Sequence, residues 1–237
     1  MPVTPPPRLL VVMPALNEAK RIFQVASAVK GQVSGDLLVV DDGSSDDTAS
    51  EARRAGALVA THPTNLGYGA ALQTGYRFAL RNGYDAVLQL DADGQHDPAS
   101  IPRLLAALAE HDVVVGSRFL EAGSYKPPLL RRLGMLLFGR AASLMVRQRF
   151  TDPTSGFQAI SRAALLFYAH ERYPHDYPDA DVLVMLVRSG LRVTEVPVRM
   201  LPSPDGKSMH AGAWKALYYV LRMTLALSLV MLRKERR

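Results

Sequence analysis

The apolar run Val87-Leu88-Gln89-Leu90 ends in Asp91-Ala92-Asp93, two carboxylates separated by one small residue. Residues two apart on a strand point the same way, and the turn signalled by Gly94 lets both acids converge on one hard cation or a cation-bound diphosphate. Carboxylates held this close repel unless something cationic lies between them, so a divalent ion is the economical reading. Mg²⁺ keeps several waters and takes one or two carboxylates plus phosphate oxygens, a demand that Asp93 with help from Gln95 meets as a sparse protein shell. The plainer alternative is an Asp-rich turn after a strand. Asp97-Pro98 fits that alternative, as a helix cap followed by proline, but it leaves Asp91 and Asp93 unexplained. His96 stands in the same turn, either as a further ligand or as a solvated or hydrogen-bonded side chain.

A second acidic pair closes another apolar run, where Leu37-Leu38-Val39-Val40 leads into Asp41-Asp42-Gly43-Ser44-Ser45. A carboxylate can accept hydrogen bonds from the ring N–H of uracil or guanine, and Pro14-Ala15-Leu16-Asn17-Glu18 would form the other wall of such a base pocket. Turn formation by the acids and a helix-dipole role for Glu18 are the simpler readings. Asn65-Leu66-Gly67-Tyr68-Gly69-Ala70-Ala71 is not a dinucleotide fingerprint, because Leu72 takes the place of the third glycine and no acid follows at the right distance. Its glycines suit a tight turn and close approach of a helix start to a nucleotide. Tyr177-Pro178-Asp179-Ala180-Asp181 offers carboxylates to an acceptor hydroxyl, or caps the helix that follows.

The elements that must carry these residues alternate. Strands are expected at Leu9 to Met13, Leu37 to Val40, Leu58 to Ala60, Ala86 to Leu90 and Asp112 to Gly116. Helices are expected at Glu18 to Lys30 behind an Asn17 cap, Asp46 to Arg54, Gly69 to Arg81 and Pro98 to Glu110. This order implies an α/β fold with a largely parallel sheet, and ligands bind beyond the carboxyl ends of such strands, where both acidic pairs fall. After residue 120 the pattern loosens: a loop over Glu121 to Pro128, an apolar helix over Leu129 to Arg147, a polar turn over Thr151 to Phe157, and helices over Ala163 to Tyr168 and Ala180 to Ser189. A late strand over Val193 to Val198 has edge character because of its proline.

A chain of 237 residues suits one large α/β domain with a tail. Cysteine is absent, which excludes disulfides, thiolate zinc sites and cysteine nucleophiles. Residues 1 to 8 read as a loose, proline-rich lead-in with no signal-peptide pattern. Residues 1 to 189 hold 19 Lys/Arg and 19 Asp/Glu, whereas residues 190 to 237 hold 9 and 3, so the whole excess of +6 lies near the end. There Trp214 to Leu232 is largely apolar and is followed by Arg233-Lys234-Glu235-Arg236-Arg237. Its uncharged part is too short for a bilayer span, which needs about 20 apolar residues. An in-plane amphipathic helix over 211 to 237, basic end on anionic lipid, is the expectation, with docking on a membrane partner or in a subunit interface such as a homodimer's as the alternative. The same clustering on an apolar segment disfavours nucleic acid binding.

The ordered set PALNE (14–18), DDGSSDDT (41–48), NLGYGAA (65–71), LDADGQHDP (90–98), GSR (116–118) and TDPTSGF (151–157) resembles glycosyltransferase family 2, and within it the dolichyl- or polyprenyl-phosphate mannose synthase group. The resemblance runs from residue 9 to about 210. It implies a GT-A fold, a single Rossmann-like sheet, mixed but mostly parallel and flanked by helices. It further implies an inverting hexosyl transfer from a nucleotide-sugar donor (GDP-mannose or a UDP-hexose) with Mg²⁺ or Mn²⁺, and a polyprenyl phosphate acceptor at the cytoplasmic face of the cell membrane. Carried over by position, Pro14, Ala15, Asn17, Glu18, Val40, Asp42, Asp91 and Ala92 line the nucleotide site, and Asp93 and Gln95 hold the metal. Arg118 faces the donor diphosphate or the acceptor phosphate, and the turn 152–157 borders the sugar. Arg131 and Arg132 clamp a lipid phosphate or snorkel at the surface, and Gly206-Lys207-Ser208 resembles the family's closing loop, with Arg199 upstream and Lys207 as phosphate contacts. Asp181 matches the family's acceptor-side acid, the base if the acceptor is a sugar or protein hydroxyl. A non-catalytic nucleotide-sugar binding module is the remaining alternative, against which the intact DADG and DDG motifs argue.

Overall fold

The computed structural model describes residues 7–120, 140, 143–169 and 180–202. Arg131, Arg132, Asp179, Lys207, the segment 211–237 and nearly all of the N-terminal lead-in lie outside the described residues.

One mixed sheet is built from β1 (Leu9–Ala15), β2 (Asp36–Asp41), β3 (Leu58–Thr61), β4 (Ala86–Gln89), β5 (Val113–Ser117), β6 (Gln158–Ser161) and β7 (Val193–Pro197) in the order β3-β2-β1-β4-β6-β5-β7. All neighbours pair in parallel except around β6, which runs antiparallel to both β4 and β5. The helices are α1 (Ile22–Lys30), α2 (Thr48–Arg54), α3 (Tyr68–Arg81), α4 (Ile101–Leu108), α5 (Arg162–Tyr168) and α6 (Ala180–Arg188). The central strands read as unbroken apolar runs because both of their faces are covered. Leu10, Val12, Leu38, Val40, Val113 and Val115 pack with α3, α5 and α6, while the alternate residues Val11, Met13, Leu37, Val39, Leu88 and Val114 pack with α1, α2 and α4.

Helix α3 lies hard against β1. A Cβ placed on Gly75 would sit 2.3 Å from Val12 Cγ1, an impossible contact, so the glycine sets the depth at which α3 rests on the sheet. Gly75→Ala is expected to lower stability by about 1–3 kcal/mol through overpacking, read as a lower urea midpoint with an unchanged slope.

Pro14 does not end its strand as the sequence suggests. The Val12 carbonyl accepts from Leu90 N on the β4 side, so Pro14, two residues on, turns its missing N–H the same way, past the last residue of β4. On the other side it stays in register with Val40. Helix α1 begins four residues later than expected, because Asn17 is no cap: its backbone is left-handed, with φ 56°, and its side-chain oxygen accepts from Ser45 N at 2.9 Å. Strand β6 is a further departure. Its four residues, Gln158-Ala159-Ile160-Ser161, sit between a turn and a helix and are too few to show a period. The edge position of β7 agrees with its proline.

Candidate active site

Strands β1, β2, β4, β5 and β7 all end on one edge of the sheet, and β6 begins there because it runs the other way. That edge therefore receives Ala15 to Glu18, Asp41 to Ser45, Asp91 to Gln95, Arg118, the turn 151–157 and Arg199.

Asp91 lies one residue beyond Leu90, whose N–H still bonds to β1. Its Oδ1 accepts from the Tyr68 hydroxyl at 2.7 Å, and its backbone N–H donates to His96 Nδ1 at 3.1 Å. His96 is buried and stacked on Phe157, with ring centroids 4.8 Å apart, which makes it a wall of the turn held in place by its own hydrogen bond. Gly94, at φ 77°, makes the tight reversal, after which Asp93 Oδ1 accepts from Gln95 N at 2.9 Å and Asp93 Oδ2 from Gln95 Nε2 at 2.5 Å. Burial, and next the charge of Asp91, push the Asp93 carboxyl up. Glu18 is half-buried nearby. Burial raises its carboxyl too, the Arg21 guanidinium at 2.7 Å lowers it, and the charges of Asp93 and Asp46 raise it again. Asp93 thus feels the charge of Asp91, and Glu18 that of Asp93, at the mouth of β1 and β4. These residues fit a divalent ion, since Asp93 offers a carboxylate whose charge the protein itself disfavours and Gln95 an amide oxygen beside it. Among the described residues no group of three or more His, Asp or Glu side chains forms a closed metal cage.

Asp42 is placed differently from the base-pocket expectation. Its carboxylate accepts from His62 Nδ1 at 2.7 Å, from Leu66 N at 2.9 Å and from Gly67 N at 2.9 Å, and it is 4% exposed. It fastens the loop before α3 to the end of β2, and His62 extends the clamp to Thr74 on α3 through Nε2 at 2.9 Å. Pro14, Ala15, Val40 and Ala92 are buried, Val40 within the core. Asn17 is exposed and joins the loops after β1 and β2.

Arg118 also differs from expectation. Instead of reaching toward a phosphate, its guanidinium is forked by Asp152, Nε to Oδ2 at 2.6 Å and Nη2 to Oδ1 at 2.6 Å, with Nη2 also donating to Thr154 Oγ1 at 2.9 Å. Arg118 is 8% and Asp152 0% exposed. The turn's start is held from β7, where Glu195 accepts from Thr151 N, Thr151 Oγ1 and Asp152 N, each at 2.7 Å. Burial raises the Glu195 carboxyl despite these donors. Glu195 carries no motif. Its only sign in the sequence is an acid set among Val193, Thr194, Val196 and Val198. Beyond β7, Leu201 N donates to Gln95 O at 2.7 Å and His96 bridges Met200, which lays Arg199 beside the metal-type turn with its side chain 71% exposed. Asp181 is in the first turn of α6 and only 6% exposed. Tyr68, His62, Asp152 and Glu195 do most of the holding, and they stand at loop and strand positions where spacing gives no period.

This sheet, with acids at its carboxyl edge, is of the GT-A type that glycosyltransferases use. The chain resembles a solved mycobacterial protein (TM-score 0.71, 21% identity, covering 97% of this chain and 76% of that one). It also resembles glucosyl-3-phosphoglycerate synthase from Mycobacterium tuberculosis, solved with Mn²⁺ and uridine-diphosphate-glucose (TM-score 0.69, 22% identity, covering 94% and 80%). Both likenesses concern the fold. Residues 10–167 match the model for glycosyl transferase family 2, and the chain belongs to that family. Relatives include an undecaprenyl-phosphate mannosyltransferase of Micrococcus luteus, 31% identical over 231 residues that span 92% of this chain and 95% of that protein. A polyprenol monophosphomannose synthase of Mycolicibacterium smegmatis is 30% identical over 229 residues, 89% of this chain and 84% of that protein.

Proposed function

We propose that this glycosyltransferase moves a hexose, with inversion, from a GDP- or UDP-sugar to a polyprenyl phosphate at the cytoplasmic face of the membrane. The observation that supports the donor half is the convergence of the half-buried Asp93 with Asp91 and Gln95 at the open edge of the sheet, an arrangement that a cation-bound diphosphate would favour. Asp93 and Gln95 would hold Mg²⁺ or Mn²⁺, which when bound supplies Lewis-acid stabilisation of charge on the departing nucleoside diphosphate. Asp91 and Glu18, with the backbones of Pro14, Ala15, Val40 and Ala92, line the nucleotide side. Asp42 serves that side by fixing the loop 65–68. Arg118 acts through Asp152 by holding the turn 151–157 against the sugar. Arg199 and Lys207 are the phosphate contacts, and Arg131 and Arg132 take the acceptor phosphate.

A lipid phosphate is already ionised at neutral pH, so its oxygen attacks the anomeric carbon without a general base. Support for this acceptor comes from relatives whose names carry undecaprenyl-phosphate or polyprenol, matched over most of their length. Asp181, enclosed in the first turn of α6, is the base in the alternative where the acceptor is a hydroxyl. Among the described residues no helix is long and apolar enough to cross a membrane, and attachment through the 211–237 segment to lipid or to a membrane partner completes the reading.

Radiolabelled GDP-mannose and UDP-glucose, each with Mg²⁺, with and without polyprenyl phosphate, test it. Lipid-extractable label that requires both the polyprenyl phosphate and the ion is the expected product. Label transferred only to a water-soluble hydroxyl acceptor, and lost in Asp181→Asn, would overturn the lipid reading in favour of hydroxyl transfer.

A further inference from the structure

The Asp91 side chain is tied to a hydrogen-bonded chain that reaches the core. Its Oδ1 accepts from the Tyr68 hydroxyl, whose oxygen accepts from Gln89 Nε2 at 3.3 Å, while Gln89 Oε1 accepts from the Tyr76 hydroxyl. Tyr76 is fully buried and packs edge-on against Tyr168, with ring centroids 5.1 Å apart. Because the Gln89 amide donates to the Tyr68 oxygen, the phenolic proton has one direction left, toward Asp91. From the opposite side the turn 151–157 closes in: a Cβ on Gly156 would lie 2.7 Å from the Tyr68 hydroxyl oxygen and 3.3 Å from each Asp91 oxygen.

We propose that Tyr68 is a positioning residue for donor binding: its hydroxyl fixes Asp91 Oδ1, and the bare backbone at Gly156 closes the space beside the pair, so Asp91 meets the donor in one orientation through Oδ2. The inference rests on the donor reading above and adds a residue to it. Asp91 Oδ2 lies 3.8 Å from His96 Nε2, too far for a hydrogen bond, so it is the oxygen placed to accept a donor hydroxyl or ring N–H. Without the Tyr68 hydroxyl the carboxylate turns about its own torsions, and binding must then bear the entropy of fixing it.

Calorimetric titration of the full-length protein with GDP-mannose and with UDP-glucose, each with Mg²⁺, tests the idea in Tyr68→Phe, Gly156→Ala and the double variant. Tyr68→Phe keeps the ring and loses only the hydroxyl. The dissociation constant for whichever donor the parent binds is expected to rise about tenfold, the scale of one hydrogen bond to a charged acceptor. Turnover at saturating donor should stay within about threefold, since the loss falls on uniform binding rather than on the transition state. Both variants act on one carboxylate, so the double variant should bind no more weakly than the worse single one. Donor affinity within about twofold of the parent in Tyr68→Phe, or single penalties that multiply in the double variant, would overturn the proposal. Should Tyr68→Phe fail to fold, Gly156→Ala decides by the same thresholds. A parent that binds neither donor overturns the donor reading and this inference together, whereas a parent that binds and a Tyr68→Phe variant that binds equally well overturns this inference alone.

Discussion

Asp93→Ala is expected to lower sugar transfer about a thousandfold and to remove its dependence on added Mg²⁺ or Mn²⁺, because charge on a leaving diphosphate is stabilised chiefly by the ion and its fixed ligands. Asp93 is an acid whose charge its surroundings disfavour. Burial, and then the charge of Asp91, raise its carboxyl, and the two hydrogen bonds from Gln95 only partly offset this. The sign of the pH effect follows. A raised carboxyl favours the protonated form in the folded chain, so without an ion this group's contribution to stability is fully present below its unfolded pKa and is lost as pH rises through the folded one. An ion that binds only the carboxylate reverses the trend above that value, and acidification releases it at a higher pH than an ordinary aspartate would require. The melting temperature of the wild-type protein should therefore rise on adding Mg²⁺ or Mn²⁺ at about pH 7 and rise much less at about pH 4.5, with no ion-dependent rise in Asp93→Ala. An equal rise in parent and variant would place the ion elsewhere.

The second large effect is on stability. Asp152→Ala is expected to cost about 3–5 kcal/mol, because it leaves the nearly buried Arg118 guanidinium without its fork. Asp152 is fully enclosed, and both of its oxygens accept from Arg118. Urea denaturation measures the loss. Replacing both partners, Arg118→Met with Asp152→Leu, should recover much of the stability, since breaking a buried pair costs more than substituting it with apolar groups. Activity should stay low in the double variant, as the turn 151–157 would no longer be pinned to the end of β5. A single variant within about 1 kcal/mol of the parent would show that the pair contributes nothing net.

The first half of the fold was legible because its elements have periods. Runs such as Leu37 to Val40 are apolar on both faces and end in acids, and α3 and α4 show helical spacing between clear stops. Asp97 caps the turn before α4, its side chain accepting from Ala99 N, as its neighbour Pro98 suggests. Strand β6 was not legible, since four residues bounded by a turn and a helix look like a loop and only pairing with β4 and β5 makes them a strand. The site divides in the same way. Asp91, Asp93 and Gln95 were visible because strand and turn geometry brings near neighbours together. What Asp42, Arg118 and Glu195 hold depends on partners 20 or more positions away, such as Leu66 for Asp42 and Asp152 for Arg118, and no local spacing encodes those pairings.

The reversed strand β6 also decides where the chain between β5 and β6 leaves and re-enters the sheet. Strand β5 leaves the sheet at Ser117 and β6 re-enters it beside that point, with Gly116 N bonded to Phe157 O at 2.7 Å. The excursion between them departs from and returns to the same doorway. Its length is therefore uncoupled from the sheet's registry, and a longer loop costs little extra closure entropy. An insertion or deletion within that excursion would leave β1, β2 and β4, and with them the acidic turns after β2 and β4, in place. The Arg118–Asp152 pair ties the two sides of that doorway together, one partner just after β5 and the other in the turn before β6.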